Sequence, residues 1–300
     1  MAIQTVTVAI NGSTHNLTYN DSNGKWEAIL TAPSTSSFSQ PDHKYGVSVT
    51  ATDDAGNSTT VDRDDASGTL DLALRVIEKV APTITITSPG ADAILTNNQP
   101  TFTIQLRDND SGVDVETLVI KIDGTPQSDG IETQSVSGGV DVTFTPTTAL
   151  PDGARTITVD VSDNDGNAAT SASRTVTIDT VPPTLDVTSP ADGLITNQTN
   201  GTVAGTTNDT TSSPVTVTIT VNDDDVGPVS VGPDGAFSVD VTYQEGANTV
   251  VVTATDSAGK STTVTRNVTV NTTAPQFDTI TLTPNPVDAG QTYVISVTFK

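Results

Sequence analysis

The stretch VTATDDAGNSTT, residues 49–60, occurs twice more in the chain, as VDVSDNDGNAAT at 159–170 and as VTATDSAGKSTT at 252–263. In each copy, alternating apolar and polar residues are followed by D-x-x-G. Such alternation is typical of a strand with one buried face, and Asp and Gly favour a tight turn. A second alternating run follows each Gly, so each copy predicts a β-hairpin. A catalytic site is normally built once, and the repetition therefore indicates a scaffold.

A second repeated feature begins each unit after the first. VAPTITITSP at 80–89 matches VPPTLDVTSP at 181–190, and TAPQFDTITLTP at 273–284 begins a further copy. Proline removes a backbone donor and stiffens the chain, so these segments indicate the joints between domains. We predict domains at 1–79, 80–180 and 181–271, and a partial domain or assembly strand pair at 272–300.

The spacing of the strands predicts the fold class. Seven or so short strands fall within each segment of about 90–100 residues, with turn signals every 8–12 residues, which is typical of a β-sandwich. Long amphipathic helical patterns do not occur. The sequence therefore predicts an all-β protein built from sandwiches in a linear array.

These motifs resemble a known family. The pattern AP-x-h-x-h-x-S-P at the start and h-x-h-x-A-x-D-x-x-G-N at the end of a unit (h, apolar) resembles tandem bacterial immunoglobulin-like repeats. KYGVSVTATDDAGNST also resembles a fibronectin type III ending, in which Tyr45 stands at the tyrosine-corner position; Arg155 and Asn248 stand there in the later units. The segment 274–300 resembles the ends of immunoglobulin-like proteins encoded in bacteriophage and prophage structural regions. The resemblance implies tandem immunoglobulin-like β-sandwiches.

Charge and composition limit the class of partner. The chain has 36 acidic and 12 basic residues, a net charge of −24, and no cysteine. Such a surface repels phosphate backbones, so we predict no nucleic-acid binding; it favours solubility, bound cations or a cationic partner. No run approaches the roughly 20 apolar residues that span a bilayer, so we predict no membrane insertion. If Met1 is the natural start, the sequence also predicts no export through a signal peptide.

The first and last units are incomplete in complementary ways. Residues 5–33 match 215–243, the middle of the third domain, so the first unit lacks two opening strands, whereas 272–300 supplies only an opening pair. Open sheet edges pair with other strands. We predict assembly through this pair, head-to-tail with another copy or with a neighbouring protein, using Ile280, Leu282, Tyr293, Ile295 and Val297. The alternatives are a truncated or capping unit, and an insertion at 64–79 that fills the gap.

Acidic loops indicate a metal site. Calcium takes six to eight oxygen ligands, and such oxygens are abundant in the loops of the second domain. We predict a calcium site, and no other cofactor, formed from Asp108, Asp110, Asp114, Asp160, Asp163 and Asp165. The sequence has no D-x-D-x-D-G-x5-E loop, and the alternative is that these side chains only stabilise turns.

Candidates for catalysis and sugar binding are few. His15 and His43 are the only histidines, and the sequence has no G-x-S-x-G, H-E-x-x-H or P-loop motif, so we predict no catalytic residues and no enzyme. Sugar sites commonly place an aromatic ring under the sugar, which makes Trp26 and Tyr19 the candidate carbohydrate-binding residues. The alternation of Trp26 with Ala28 and Leu30 favours core packing for Trp26.

The predicted function is a non-enzymatic structural or adhesive array of immunoglobulin-like domains. By resemblance, it is a phage or prophage virion surface component (tail, baseplate or head decoration) that aids assembly or weak host attachment. The alternatives are a stalk segment of a bacterial cell-surface adhesin and a carbohydrate-binding accessory module. The predicted partners are other virion or surface proteins, further copies of the chain, and host-surface glycans. The predicted location is the virion surface, with the bacterial cell surface or the extracellular space as the alternative.

Overall fold

The computed structural model describes residues 2–63 and 72–300. The chain forms two compact units that divide between Ile178 and Asp179. The first unit contains an N-terminal sheet and a first sandwich, and the second contains a second sandwich and a terminal hairpin. Strands make up nearly all the regular structure, and within the described ranges no helix is long and apolar enough to cross a membrane.

The N-terminal sheet is a single layer. Its strands are β1 (Ile3–Ile10), β2 (Ser13–Asn20), β3 (Lys25–Glu27), β4 (Tyr45–Asp53), β5 (Ser58–Val61) and β6 (Ala73–Leu74). Their order is β3-β2-β1-β4-β5, and β6 pairs with the start of β4. Because β6 joins the same side of the sheet as β5, residues 72–79 do not supply opening strands. Residues 64–71 of the predicted insertion lie outside the described residues.

The first sandwich has two packed sheets. Its strands are β7 (Thr83–Ser88), β8 (Ile94–Leu95), β9 (Phe102–Arg107), β10 (Val113–Ile122), β11 (Thr125–Gln127), β12 (Ile131–Val136), β13 (Gly139–Phe144), β14 (Gly153–Asp163) and β15 (Ala172–Ile178). One sheet has the order β12-β13-β9-β7 and the other β11-β10-β14-β15-β8. The opening pair β7–β9 therefore lies in the sheet that β13 extends.

The second sandwich repeats this plan. Its strands are β16 (Thr184–Ser189), β17 (Leu194–Thr196), β18 (Asn200–Asn208), β19 (Thr216–Val221), β20 (Asp224–Asp225), β21 (Ala236–Thr242), β22 (Gly246–Thr255) and β23 (Ser261–Val270). Its sheets are β16-β18-β21 and β17-β23-β22-β19-β20. The terminal hairpin consists of β24 (Phe277–Thr283) and β25 (Val294–Phe299), which pair antiparallel.

The alternating pattern of the strands produces the core. Ile157, Val159 and Val161 of β14 are buried, whereas Thr158 and Asp160 between them are partly exposed. Burying an aliphatic side chain of this size contributes about 1.5–3 kcal/mol to the free energy of unfolding. Each sandwich has its own cluster of such residues. The predicted all-β class and tandem immunoglobulin-like sandwiches are confirmed.

The repeated D-x-x-G segment forms the predicted turn. Gly56, Gly166 and Gly259 all have positive φ angles, between 83° and 91°, which L residues rarely adopt. Asp163 Oδ1 accepts hydrogen bonds from the backbone N–H of Asp165 at 3.0 Å and of Asn167 at 2.7 Å. The turn is therefore stabilised from within.

Different side chains stabilise the loop that precedes the long strand of each repeat, namely β4, β14 and β22. The Tyr45 hydroxyl lies 2.7 Å from Thr35 Oγ1 and donates to backbone carbonyls, as in a tyrosine corner. Arg155 donates to Pro151 O at 3.0 Å. Asn248 Nδ2 donates to the backbone of Gln244 at 2.8 Å, so a shared structural role is filled by three residue types.

The N-terminal sheet corresponds to one half of a sandwich. Asn11 and Asn222 have positive φ in equivalent turns, and this register places Trp26 at the position of Phe237. The predicted alignment of 5–33 with 215–243 is therefore wrong by one residue, because alternation fixes which side chains face inward. Phe237 is 4% exposed, whereas Trp26 is only half-buried.

Candidate functional site

Three acidic side chains meet at the start of the first sandwich. Glu78 lies in the joint before β7, Asp108 follows β9, and Asp163 ends β14. One carboxylate oxygen of each lies within 4.8 Å of one from the others. Asp108 and Asp163 are buried and Glu78 is half-buried. Residues distant in sequence therefore form one carboxylate cluster, which we call the first cluster.

Protein donors cover the first cluster. Glu78 Oε1 accepts from the backbone N–H of Ser111 at 2.7 Å, and Asp108 Oδ1 accepts from that of Gly112 at 2.8 Å. Asp163 Oδ2 accepts from Asn167 Nδ2 at 2.7 Å. These hydrogen bonds stabilise the negative charge that burial would otherwise disfavour.

The loops beside the first cluster also contact the N-terminal sheet. The backbone N–H of Ser36 donates to Asp110 Oδ1 at 2.8 Å, and its hydroxyl donates to Asp165 Oδ2 at 2.6 Å. Asp165 Oδ2 also accepts from the backbone N–H of Glu78 at 3.0 Å. Charge-assisted hydrogen bonds of this kind restrict the joint between the sheet and the first sandwich.

A second carboxylate cluster occupies the same place in the second sandwich. Asp179, Asp209 and Asp256 each have an oxygen within 4.8 Å of the others, and all three side chains are buried. Asp179 and Asp209 follow Glu78 and Asp108 by the same 101 positions that separate the two proline segments. The second cluster is thus a product of the repeat.

Hydrogen bonds satisfy only part of the second cluster. Asp209 Oδ1 accepts from the backbone N–H of Ser212 at 2.8 Å, and Asp179 accepts from the Ser212 hydroxyl. Asp256 Oδ1 accepts from the backbone N–H of Lys260 at 2.9 Å. Asp256 Oδ2 is buried and has no hydrogen-bond partner among residues 2–63 and 72–300. A carboxylate oxygen buried in this way is costly, and it lies among two further carboxylates.

One residue difference explains the unpartnered oxygen. The first sandwich has Asn167 four residues after Asp163, and the second has Lys260 four residues after Asp256. The Asn167 amide reaches Asp163 Oδ2, as the Asn57 amide reaches Asp53 Oδ2 in the N-terminal sheet. Lys260 provides no such amide.

Four of the six predicted calcium ligands lie in or beside the first cluster, and two lie away from it. Asp108 and Asp163 belong to the first cluster, and Asp110 and Asp165 lie at the joint. The other two lie outside the cluster: Asp114 caps its own turn by accepting from Glu116 N, and Asp160 lies on the outer face of β14.

Asp160 has a different partner. Its carboxylate accepts from Lys121 Nζ at 2.8 Å and from the Ser171 hydroxyl, and these hydrogen bonds lower the pKa of Asp160 below its usual value. Sequence reasoning missed Glu78 and the entire second cluster. Glu78 and Asp179 lie at the same distance before their proline segments, and Asp108 and Asp209 lie at the same distance after them, which is the signal that could have found them.

The candidate sugar-binding pair lies on the inward face of the N-terminal sheet. Tyr19 and Trp26 are directly paired across β2 and β3, with ring centroids 5.5 Å apart and planes tilted by 56°. Tyr19 is exposed. Because Trp26 takes the position of buried Phe237, its geometry fits core packing, and sugar binding stays a prediction.

The predicted assembly residues all lie exposed in the terminal hairpin or its loop. They are Ile280, Leu282, Tyr293, Ile295 and Val297. Between 41% and 57% of the surface of each residue is exposed, and every residue of β24 and β25 is likewise exposed.

Comparisons with family models agree with this architecture. Residues 77–180 match the bacterial Ig-like domain, and residues 183–272 match domain B of glucodextranase. Bacillopeptidase F of Bacillus subtilis (strain 168) is 31% identical over 140 residues, which are 47% of this chain and 9% of that protein. The match therefore spans only a small part of the curated relative.

Solved structures with low sequence identity also resemble this chain in part. The titin I-band fragment I67–I69 is 12% identical, with a TM-score of 0.48 over 90% of this chain and 88% of its own. Fibronectin(III)-like modules of Clostridium thermocellum CbhA are 16% identical, with a TM-score of 0.35 over 63% and 94%. The family model places residues 77–180 among bacterial Ig-like domains, and the strand topology shows that the two sandwiches are tandem immunoglobulin-like repeats.

Proposed function

We propose that the chain is a non-catalytic spacer segment of a bacterial repeat protein exposed at a surface or outside the cell. Two features support this: successive domains match bacterial Ig-like and accessory-domain families, and the strongly acidic chain suits an aqueous surface. Its role is mechanical. The modules hold binding surfaces at a distance from their attachment point, and repetition allows weak contacts to act together.

The observation that carries the proposal is the repeated placement of carboxylates where each module begins. At the first joint, Ser36 donates two hydrogen bonds to Asp110 and Asp165. A spacer requires joints that resist bending, and these bonds tie a sheet to the sandwich that follows it. The same loops carry the first cluster.

We further propose that calcium binds the second cluster. Asp179, Asp209 and Asp256 provide three hard oxygen donors, and no described residue forms a hydrogen bond with Asp256 Oδ2. No Lys or Arg forms an ion pair with these three carboxylates in residues 2–63 and 72–300, so a bound cation would offset their mutual repulsion. Calcium accepts such carboxylates together with carbonyl and water oxygens.

Calorimetry and thermal unfolding test the calcium proposal. Added calcium should stabilise the second sandwich by about 2.7 kcal/mol at a concentration one hundred times the Kd, and a chelator should reverse this. Asp256→Asn should abolish the effect. Asp223→Asn removes the same charge from an exposed position that already has positive φ, and should preserve it. A wild-type protein that neither binds calcium by calorimetry nor responds to chelator would falsify the proposal.

Two surfaces are candidates for the location of the chain. A virion surface rests on the resemblance of 274–300 to phage-encoded proteins, and a bacterial cell surface rests on the match of 77–180 to bacterial Ig-like domains. We favour the bacterial surface. Immunoelectron microscopy with antibody against this chain should label intact cells; label on phage particles alone would move the protein to the virion.

A carbohydrate-binding accessory module is the second candidate. The match of 183–272 to domain B of glucodextranase and the exposed ring of Tyr19 favour it. Glycan-array binding that is lost in Tyr19→Ala, while the thermal unfolding of the protein is unchanged, would support this role. Binding unaffected by the substitution would place the sugar contact elsewhere.

A further inference from the structure

The N-terminal sheet has an apolar face that the described residues leave open. Val8, Val47 and Val49 are half-buried, whereas their counterparts in the second sandwich, Ile219, Val250 and Val252, are fully buried. The exposure of Leu30 is 39%, against 6% for its counterpart Val241.

This face contains an apolar groove. Its volume is about 380 Å³, and it is lined largely by aliphatic side chains, among them Val8, Ile10, Leu30, Val47 and Leu74. In a complete sandwich the facing sheet fills this space. The N-terminal sheet therefore has the inner surface of a sandwich without its second layer.

The terminal hairpin has the opposite deficiency. Its register places the apolar side chains on one face and mainly threonines on the other. The apolar face consists of Phe277, Ile280, Leu282, Ile295, Val297 and Phe299, all exposed. A lone two-stranded hairpin is marginally stable in water, and an exposed apolar face of this kind indicates a partner surface.

The two surfaces are complementary halves of the repeated module. In both complete sandwiches, the second strand of the opening pair (β7–β9 and β16–β18) also pairs with a third strand on its other edge. β9 pairs with β13, and β18 pairs with β21. The equivalent of β21 in the N-terminal sheet is residues 25–31, of which only β3 is a strand, and it pairs with β2 instead. Residues 28–31 have no strand partner among the described residues.

The hairpin corresponds to the opening pair, which residues 2–63 and 72–79 do not supply. Ala274 and Pro275 match Ala81 and Pro82, which precede β7, and Pro284 after β24 matches Pro89 after β7. In the hairpin, β25 pairs only with β24, so its outer edge is open. That edge is the one that β9 and β18 present to their third strand.

We propose that the terminal hairpin of one copy completes the N-terminal sheet of a second copy. β25 would pair with residues 28–31 of the second copy, and the apolar face of the hairpin would cover the groove beside Leu30. The apolar face bears no charge, and the groove lining bears none, so the contact is driven by apolar burial and main-chain pairing. Because donor and acceptor surfaces differ, the contact is heterologous and propagates head-to-tail.

Light scattering and sedimentation of the full chain test this proposal. The monomer mass is 30.8 kDa. We expect the measured mass to rise with protein concentration to at least twice that value. Val297→Asp, which places a charge on the apolar face of the hairpin, should return the protein to a monomer. Ser296→Asp, on the opposite face of the same strand, should leave assembly unchanged.

A mixing experiment separates this contact from non-specific association. Leu30→Asp, which alters the acceptor groove, should also be monomeric alone. An equimolar mixture of Leu30→Asp with Val297→Asp should form dimers and nothing larger, because one intact hairpin and one intact groove remain. A chelator control shows whether calcium contributes.

Three outcomes overturn the proposal. The first is a wild-type protein that is monomeric at every concentration. The second is assembly of Val297→Asp and Leu30→Asp equal to that of the wild type, and the third is an equimolar mixture of these two variants that stays monomeric. Protection of 28–31 from hydrogen exchange in a monomer would show closure within one chain and would also overturn it. Circular dichroism and unfolding of the sandwiches confirm that each variant is folded.

Discussion

The two carboxylate clusters occupy the same place in successive sandwiches and differ in how their charges are stabilised. In the first, the Asn167 amide covers Asp163 Oδ2, and a sheet docks against the same loops through Ser36. In the second, Lys260 replaces the asparagine, and Asp256 Oδ2 has no hydrogen-bond partner in the part of the chain that the structure describes. The comparison teaches that a scaffold turn becomes a candidate cation site when a single covering side chain is lost.

The largest expected effect comes from restoring that side chain. Lys260→Asn should bring an amide to Asp256 Oδ2, as Asn167 does for Asp163, and thereby remove the need for a cation. We expect the calcium stabilisation of about 2.7 kcal/mol, at one hundred times the Kd, to disappear. Calorimetric titration and thermal unfolding measure it.

A matched variant separates the amide from the charge. Lys260→Met removes the positive charge without supplying a donor, so its calcium response should equal or exceed that of the wild type. If Lys260→Asn and Lys260→Met behave alike, the covering amide does not explain the difference between the clusters.

The reverse substitution sharpens the comparison. Asn167→Lys removes the 2.7 Å hydrogen bond to Asp163 Oδ2 and should destabilise the first sandwich by about 1–3 kcal/mol without calcium. Calcium should recover part of this loss, because Glu78 and Asp108 lie beside the freed oxygen. Hydrogen exchange resolved to β14 and β15 gives the change in stability.

Asn57→Lys is the control for this prediction. It frees Asp53 Oδ2 in the same turn of the N-terminal sheet, where the described residues contain no cluster of three acidic groups. It should lose stability without a calcium response. Recovery by calcium in this variant would show that any freed carboxylate suffices.

The sequence contained most of the fold. Alternation around Val159 and the Asp163–Gly166 turn predicted a hairpin, and the structure has one, with Gly166 at positive φ. These signals are local: the strand period and the turn geometry depend only on neighbouring residues. The proline segments at 80–89, 181–190 and 273–284 repeat in the sequence itself, so the start of each later module was visible without coordinates.

The clusters were less accessible to sequence reasoning because they form through space. Asp160 is three residues from Asp163, but the strand period turns it to the outer face, where Lys121 binds it. Glu78 is 85 positions before Asp163, and only the packing of the sandwich brings them together. Proximity in sequence alone therefore does not show which carboxylates meet.

The joint next to the first cluster gives a smaller effect. Ser36→Ala removes the 2.6 Å hydrogen bond from its hydroxyl to Asp165 and keeps the backbone bond to Asp110. We expect a loss of about 1 kcal/mol in the docking of the N-terminal sheet, because the hydrogen bond involves a carboxylate and is partly buried. The fluorescence of Trp26, the single tryptophan, reports on unfolding of this sheet.

Ser34→Ala is the appropriate control for that measurement. Ser34 is exposed and close in sequence, so its substitution should leave the Trp26 unfolding transition in place. Equal shifts in the two variants would mean that the Ser36 hydroxyl does not stabilise the joint.

The smallest expected effect distinguishes the sandwiches by pH. The first has the Lys121–Asp160 pair on its outer face, and the second has Thr220 and Thr253 at the equivalent positions. The hydrogen bond from Lys121 lowers the pKa of Asp160 in the folded state. A lowered folded pKa stabilises the protein above the unfolded pKa, and this stabilisation is lost as the pH falls through the folded pKa.

Since both side chains are about one-third exposed, the pair should contribute only about 0.5 kcal/mol near neutral pH. Carbon-13 titration of the Asp160 carboxyl should give a midpoint below 3.8, and Lys121→Met should raise it. Asp160→Asn should weaken the first sandwich at pH 6 and have no effect below the folded pKa, while the second sandwich is unchanged. A midpoint at or above 3.8 would show that the Lys121–Asp160 pair on the outer face is not formed in solution. The pair would then not distinguish the pH dependence of the two sandwiches.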